Sequence, residues 1–290
     1  MSFETFLEEL KASVDAHFSD GTVLEYRKIV KNNGVALTGA CLSRPGGEDD
    51  SPRKQIVYLD QIYQAMAENP DIPAVTSRLL EVLEAPLPGE LAGVSVEEWE
   101  DVKDRVILRL IGLERNRERL EKLVHREFLD MAITCCLLFT GSGIGQAVTE
   151  ISEAIREGWG VSEEEIFGAA MENTARLLPD TLRTLREAAQ IPDDDVSENI
   201  FVLSNSTLFL GAAALLYTGA LKELSERFDS DLFILPTSIH ELIVLSADGM
   251  TADFLRKAVE SVNAADVPPE EVLTDSVYRY VKETGDIVIA

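Results

Sequence analysis

Asp231-Leu-Phe-Ile-Leu-Pro-Thr-Ser-Ile-His-Glu-Leu-Ile-Val-Leu245 is the stretch that decides the fold class of this chain. Two apolar runs of strand length flank a short polar turn, and runs this dense in β-branched and aliphatic residues belong to strands covered on both faces. Along the second run Ile239, Glu241, Ile243 and Leu245 point one way, and His240, Leu242 and Val244 the other. Whichever face is buried, an ionisable group stands at its edge and needs a partner. Ile234, Leu235, Leu242 and Val244 are therefore expected deep in the centre of a sheet.

Working outward, the order strand, turn, strand, helix recurs near residues 35–84, 129–176 and 231–263. No residue-level repeat accompanies it, so it is a shared supersecondary habit and not a solenoid. Strand pairs followed by helices predict an α+β fold with mixed or antiparallel sheets and helices packed on one face. An amphipathic helix capped by Ser2 opens the chain. A hairpin follows over 22–30 and 35–42, turned at Asn33-Gly34, with a short strand at 55–59 and helix to about Glu84. Further strands are expected over 105–113, 129–140, 146–155, 201–203 and 208–216. Helices are expected over Glu114–Lys122, after the capping boxes Ser95-Val-Glu-Glu98 and Ser162-Glu-Glu-Glu165, over 220–228 and from Thr251. That last helix carries Leu255, Ala258, Val259 and Val262 as its apolar stripe, and edge strands are expected over 276–280 and 286–289. Ala85-Pro-Leu-Pro-Gly-Glu-Leu-Ala-Gly93 reads as a linker. It separates an N-terminal α+β unit (1–88) from a larger one (95–290), unless the chain is a single compact domain.

The 290 residues carry a formal net charge of −26. So acidic a surface repels phosphate backbones and anionic lipid, so neither direct nucleic-acid binding nor membrane binding is expected. The charge itself serves solubility, or else imitates nucleic acid toward a basic partner. Three cysteines, two of them the adjacent pair Cys135 and Cys136, do not form a disulfide framework and fit reduced thiols in a cytoplasmic protein. The first ten residues lack the basic and apolar regions of a signal peptide.

Familiar chemical signatures fail one by one. Gly141-Ser-Gly-Ile-Gly145 lacks the spacing of a dinucleotide loop and reads as a hairpin turn. His125-Arg-Glu127 matches half of a zinc-deaminase motif whose cysteine half is absent. His240-Glu241 begins a zinc-protease motif that Val244 ends. What remains is a pattern: His125 with Glu127, and His240 with Glu241, each place an imidazole and a carboxylate at the mouth of an apolar strand. If those strands are neighbours, the four side chains converge as an acid–base set or as metal ligands. Ser238, on the His240 face of an extended strand, lacks the orienting acid and oxyanion hole of a nucleophile. His17 borders the first helix, Asn205-Ser-Thr207 is a turn, and Trp159 anchors the helix after it.

The segments Val30-Lys-Asn-Asn-Gly-Val35, His125-Arg-Glu-Phe-Leu-Asp-Met-Ala-Ile133, Trp159-Gly-Val-Ser-Glu-Glu-Glu165, Met171-Glu-Asn-Thr174 and Ile234-Leu-Pro-Thr-Ser-Ile-His-Glu241 resemble a bacterial domain-of-unknown-function family. It is the uncharacterised Firmicutes family numbered 5688, and the resemblance extends through Val267-Pro-Pro-Glu-Glu-Val-Leu-Thr-Asp-Ser-Val277. It implies a bacterial, intracellular protein and brings no activity, so no catalytic residue is carried over.

The function expected from these residues is non-catalytic: an interaction protein that binds an unknown protein or small ligand, with no cofactor. The alternative is a hydrolase using a His/Glu or metal site around His125 and His240. An acidic nucleic-acid mimic is the third reading.

Overall fold

The computed structural model describes residues 1–45, 55–66, 70–85, 96–141, 145–189 and 199–290. The fold is α+β, with antiparallel sheets throughout the described pairings. The chain divides into two units, one of Met1–Lys31, Val35–Gly93 and Gly141–Gly143, the other of Asn32–Gly34, Val94–Thr140 and Ile144–Ala290. The expected linker lies almost wholly outside the described residues, as do Ser95 of the first capping box and the middle of the glycine-rich turn.

In the first unit helix α1 (Phe3–Asp15) starts at Ser2, whose side chain accepts from the Thr5 amide. Its buried stripe Phe6, Leu10 and Val14 packs into one core with Leu24, Ala40, Leu79 and Leu83. Strands β1 (Val23–Val30) and β2 (Ala36–Ser43) pair in register from Val23↔Ser43 to Val30↔Ala36. The turn between them holds Asn33 at φ 60° and Gly34 at φ 71°, the left-handed pair that Asn-Gly supplies. Strand β3 (Val57–Tyr58) is shorter than expected, and the helical stretch after it splits into α2 (Leu59–Ala65) and α3 (Ile72–Glu84), the latter capped by Asp71.

The second unit carries two sheets. Helix α4 (Trp99–Val102) begins after Glu98 with no side-chain cap, so the helix is later and shorter than the sequence suggests. Strand β4 (Val106–Gly112) is buried at every position. The expected helix at 114–122 shrinks to a 3-10 turn and α5 (Arg117–Leu120). Strand β5 (His125–Phe128) turns at Leu129 into β6 (Met131–Gly141), which pairs with β4, β5 and β7 (Gly145–Glu150). Residues 153–155, expected as strand, open helix α6 (Glu153–Trp159) because Ser152 caps the Ile155 amide. Helix α7 (Glu163–Leu177) carries the complete Ser162–Glu165 capping box. The hydroxyl of its Thr174 accepts from the Leu108 amide at 2.8 Å, so a helix caps the edge of β4 that no strand among the described residues pairs.

Strand β8 (Asp180–Thr184) and helix α8 (Leu185–Ala189) were not anticipated. They lead to β9 (Ile200–Asn205), helix α9 (Gly219–Phe228), β10 (Leu232–Pro236), β11 (Leu242–Ser246), helix α10 (Ala252–Ala265), β12 (Tyr278–Tyr280) and β13 (Ile287–Ile289). The six-stranded sheet runs β13-β12-β10-β11-β9-β8. It consists of three sequence-adjacent hairpins laid side by side, joined along the β10–β12 and β9–β11 seams.

Alternation along β10 and β11 sorts the core. Leu232, Ile234, Leu242 and Val244 enter a cluster shared with Ile107, Leu110, Met131 and Cys136 of the four-stranded sheet. Phe233, Leu235 and Leu245 turn to the opposite face and meet Leu255 and Val259 of α10. Ile234, Leu242 and Val244 are fully buried and Leu235 nearly so, as expected of a central hairpin. Both faces of this sheet are therefore covered, one by α10 and one by the second sheet.

Two assignments change. Leu208–Leu216 is not a strand: Leu208 and Leu210 adopt left-handed φ of 59° and 55°, and Gly211–Leu216 coils as a 3-10 helix. On α10, Leu255, Val259 and Asn263 are the buried positions, whereas Ala258 and Val262 face solvent.

Candidate functional site

Strand β11 begins at Leu242, so His240 and Glu241 lie in the β10–β11 turn and not in the strand. The turn is built locally: Ser238 Oγ accepts from the His240 amide at 3.0 Å, and Thr237 Oγ1 donates to the Glu241 carbonyl at 2.8 Å. Outside bonds then pin it. Ile239 donates its amide to the Glu271 carbonyl and accepts from the Ala212 amide, while Ser204 Oγ donates to the His240 carbonyl at 2.7 Å. Gly211 passes so close that a Cβ there would collide with Ser204 Oγ and the His240 carbonyl. Only glycine permits that approach.

The imidazole sits between two partners. Its Nδ1 accepts a hydrogen bond from the Leu210 amide at 3.0 Å, and its Nε2 lies 3.7 Å from Glu271 Oε1. An amide nitrogen only donates, so Nδ1 must hold a lone pair and the ring proton resides on Nε2. Burial pushes the ring below its ordinary value of 6.5; Glu271 opposes that, the Arg109 charge adds to it, and Glu241 opposes it again. The net direction is downward, which favours the neutral ring.

Leu210 arrives at this bond through an unusual turn. Asn205 organises the approach: its Oδ1 accepts from the Thr207 and Phe209 amides, and its Nδ2 donates to the Phe209 carbonyl at 2.7 Å. The turn reaches Leu210 only by placing two leucines in the left-handed region, which costs about 1–2 kcal/mol per residue. Strain of this kind persists where the surroundings over-determine it. Here Asn205, His240 and the burial of Leu210 do so together.

Nearby, Arg109 stands nearly buried in β4 and pairs with Glu150 at 2.7 Å, and Glu150 also receives Arg119. Cys136 lies close to Arg109, yet burial pushes its thiol up to about 12, and burial raises Cys135 as well. Neither is a thiolate nucleophile near neutrality. A separate cluster joins the β5–β6 turn to β12: Tyr278 donates to Asp130 Oδ1 at 2.6 Å and Ser276 Oγ to Asp130 Oδ2 at 2.7 Å.

The family of unknown function DUF5688 matches residues 3–282. The chain belongs to that family. Neither a curated protein nor a solved structure matches it. The chemistry of this DUF5688 chain is therefore read from its own side chains.

His125 begins β5, opposite Thr134 of β6, and its Nδ1 lies 2.9 Å from the Leu123 carbonyl. A carbonyl only accepts, so that nitrogen is the donor. Glu127 shares the strand face two residues on and is exposed. Among the described residues no hydrogen bond or ion pair joins His125 or Glu127 to His240 or Glu241. No group of three or more His, Cys, Asp or Glu side chains among the described residues is arranged to hold a metal ion. The partners that His240 does find, Leu210 and Glu271, were not anticipated. Glu271 falls in a loop without periodicity, and the Leu210 bond depends on backbone angles that an apolar run does not reveal.

Trp159 meets Trp99 at 5.6 Å between ring centres and donates to the Val96 carbonyl at 3.0 Å, so it anchors the segment before α4. His17 is exposed beside Phe18. Among the described residues no helix is long and apolar enough to cross a membrane.

Proposed function

We propose that this chain is an interaction protein without a reaction of its own, and that α10 is its docking face for a partner protein. One observation carries the reading. The apolar arc of α10 is wider than the sheet beneath it covers. Leu255 and Val259 are buried, but Phe254, Ala258 and Val262 continue the arc into solvent at helical spacing, with Met250 ahead of them. Phe254 is 67% exposed, Met250 45% and Val262 41%. Large apolar side chains exposed together along one stripe of a helix favour a binding surface.

Charge narrows the occupant. A second copy of this chain brings the same net charge of −26 and is repelled. The favoured occupant is an amphipathic helical segment of another protein, with apolar residues every third or fourth position and lysine or arginine on its flanks. The test uses two synthetic amphipathic helices with one apolar face, flanked by lysine in one and by glutamate in the other. The cationic peptide is expected to bind, more weakly in added salt, and Phe254→Asp to abolish binding while leaving the unfolding midpoint unchanged. Failure of both peptides, or concentration-dependent dimerisation that Phe254→Asp removes, overturns this reading.

The hydrolase reading around His125, Glu127, His240 and Glu241 draws on the neutral, partly buried His240 beside carboxylates. It is the weaker of the two. General-base chemistry needs a ring nitrogen with a free lone pair facing substrate. The Nδ1 of His240 is occupied by the Leu210 amide, and its Nε2 carries the proton toward Glu271. Ester or amide turnover by the purified chain that disappears in His240→Asn and Glu127→Gln would reverse the ranking.

A further inference from the structure

We propose that His240 is a proton-operated latch on the Leu208–Leu210 turn, held closed by the neutral ring and released when Nδ1 takes up a proton. The inference stands apart from the docking reading and rests on different residues.

The latch follows from three placements. First, among the described residues the one hydrogen bond from the imidazole to the turn joins the Leu210 amide to a lone pair on Nδ1, beside a ring contact with Phe209 at 6.0 Å between centres. A proton on Nδ1 removes that lone pair and sets two N–H groups head to head. Second, the turn is under backbone strain at both Leu208 and Leu210, so loss of the His240 bond leaves that strain to be held by Asn205 and the burial of Leu210 and lowers the cost of opening. Asn205 restrains Thr207 and Phe209 but makes no bond to the Leu210 amide, which leaves that amide to His240. Third, Glu271 waits on the other side of the ring, 3.7 Å from Nε2. A charged ring is drawn toward that carboxylate and away from Leu210.

The groups facing the ring from every side set the direction. Burial and the Arg109 charge from β4 oppose protonation, whereas Glu271 and its own neighbour Glu241 favour it. Burial prevails, so the latch stays closed near neutrality and opens on the acid side of 6.5. Opening exposes Leu210, which is 3% exposed when closed, next to Leu208, which is already 48% exposed. Acid thereby adds Leu210 to the apolar surface that Leu208 already shows.

Hydrogen exchange and nitrogen NMR on the full chain test this. In the wild type the Leu210 amide, corrected for intrinsic exchange, is expected to lose at least about tenfold in protection between about pH 7.5 and about pH 5. The midpoint of that loss must coincide with the titration of the His240 ring nitrogens, and the ring must show the Nε2–H tautomer at the upper pH. His240→Asn places a non-titrating oxygen where Nδ1 stood, and its Leu210 amide is expected to stay protected throughout. An Nδ1–H tautomer, a Leu210 protection that is flat with pH, or a midpoint apart from the ring titration overturns the latch. All three are read on the wild type alone, so poor folding of the variant does not blunt the test.

Discussion

The Leu210 amide and the Nδ1 of His240 meet at 3.0 Å, joining a left-handed leucine to a ring that must be neutral to receive it. Global stability follows the same proton. The folded ring binds a proton less readily than the unfolded one, whose ordinary value is 6.5. Between that value and the lower folded one the unfolded chain holds more protons, so stability falls as pH falls through this window and is level again beneath it. Urea unfolding across the window is expected to show this loss in the wild type. His240→Asn should lack that component, and an identical pH slope in both proteins would remove His240 as its source.

Gly211 is the second point of commitment. A methyl group there meets Ser204 Oγ and the His240 carbonyl, and the carbonyl belongs to a turn bonded on every side. Gly211→Ala is expected to destabilise the chain by about 1–3 kcal/mol through overpacking. Unchanged urea stability would mean that the β10–β11 turn yields.

Leu242 opens β11 at the Pro236 and Leu203 register positions and is fully buried. Leu242→Ala is expected to cost about 2–5 kcal/mol, the range for a core leucine whose surroundings cannot collapse. A loss under about half a kcal/mol would fit only a surface position.

Tyr278 tests a polar centre instead of an apolar one. Its hydroxyl donates to Asp130, lies 2.6 Å from Thr274 Oγ1 and is buried; burial first, then the Asp130 bond, raise its pKa. Tyr278→Phe leaves Asp130 with Ser276 as its remaining side-chain donor and is expected to cost about 1–3 kcal/mol. The unfolding midpoint of this variant against the wild type measures it.

Much of the fold was legible because it rests on patterns that local chemistry enforces. The two apolar runs around Pro236-Thr-Ser238 could only be strands, the Asn33-Gly34 turn supplied its own positive φ angles, and Ser162 with Glu165 capped a helix as their spacing requires. Leu208–Leu216 failed because apolarity does not report backbone angles. There Asn205 captures the Thr207 and Phe209 amides, and Gly211 must approach Ser204, so the segment coils. Ala258 and Val262 failed for a different reason: periodicity gives the width of an apolar arc but not which part of it a neighbour covers. The candidate site was legible in His240 alone. Its partners Leu210 and Glu271 come from distant segments that only the tertiary fold brings to it.

The six-stranded sheet of three hairpins also has a kinetic meaning. The β10–β11 and β12–β13 hairpins close short loops and can form early, whereas the β10–β12 and β9–β11 seams must wait for distant segments to arrive. The two seams are then expected to set the rate of assembly. Substitutions at Ile234↔Tyr278 or Leu242↔Leu203 should slow folding, while those on the outer strands β8 and β13 should mainly hasten unfolding.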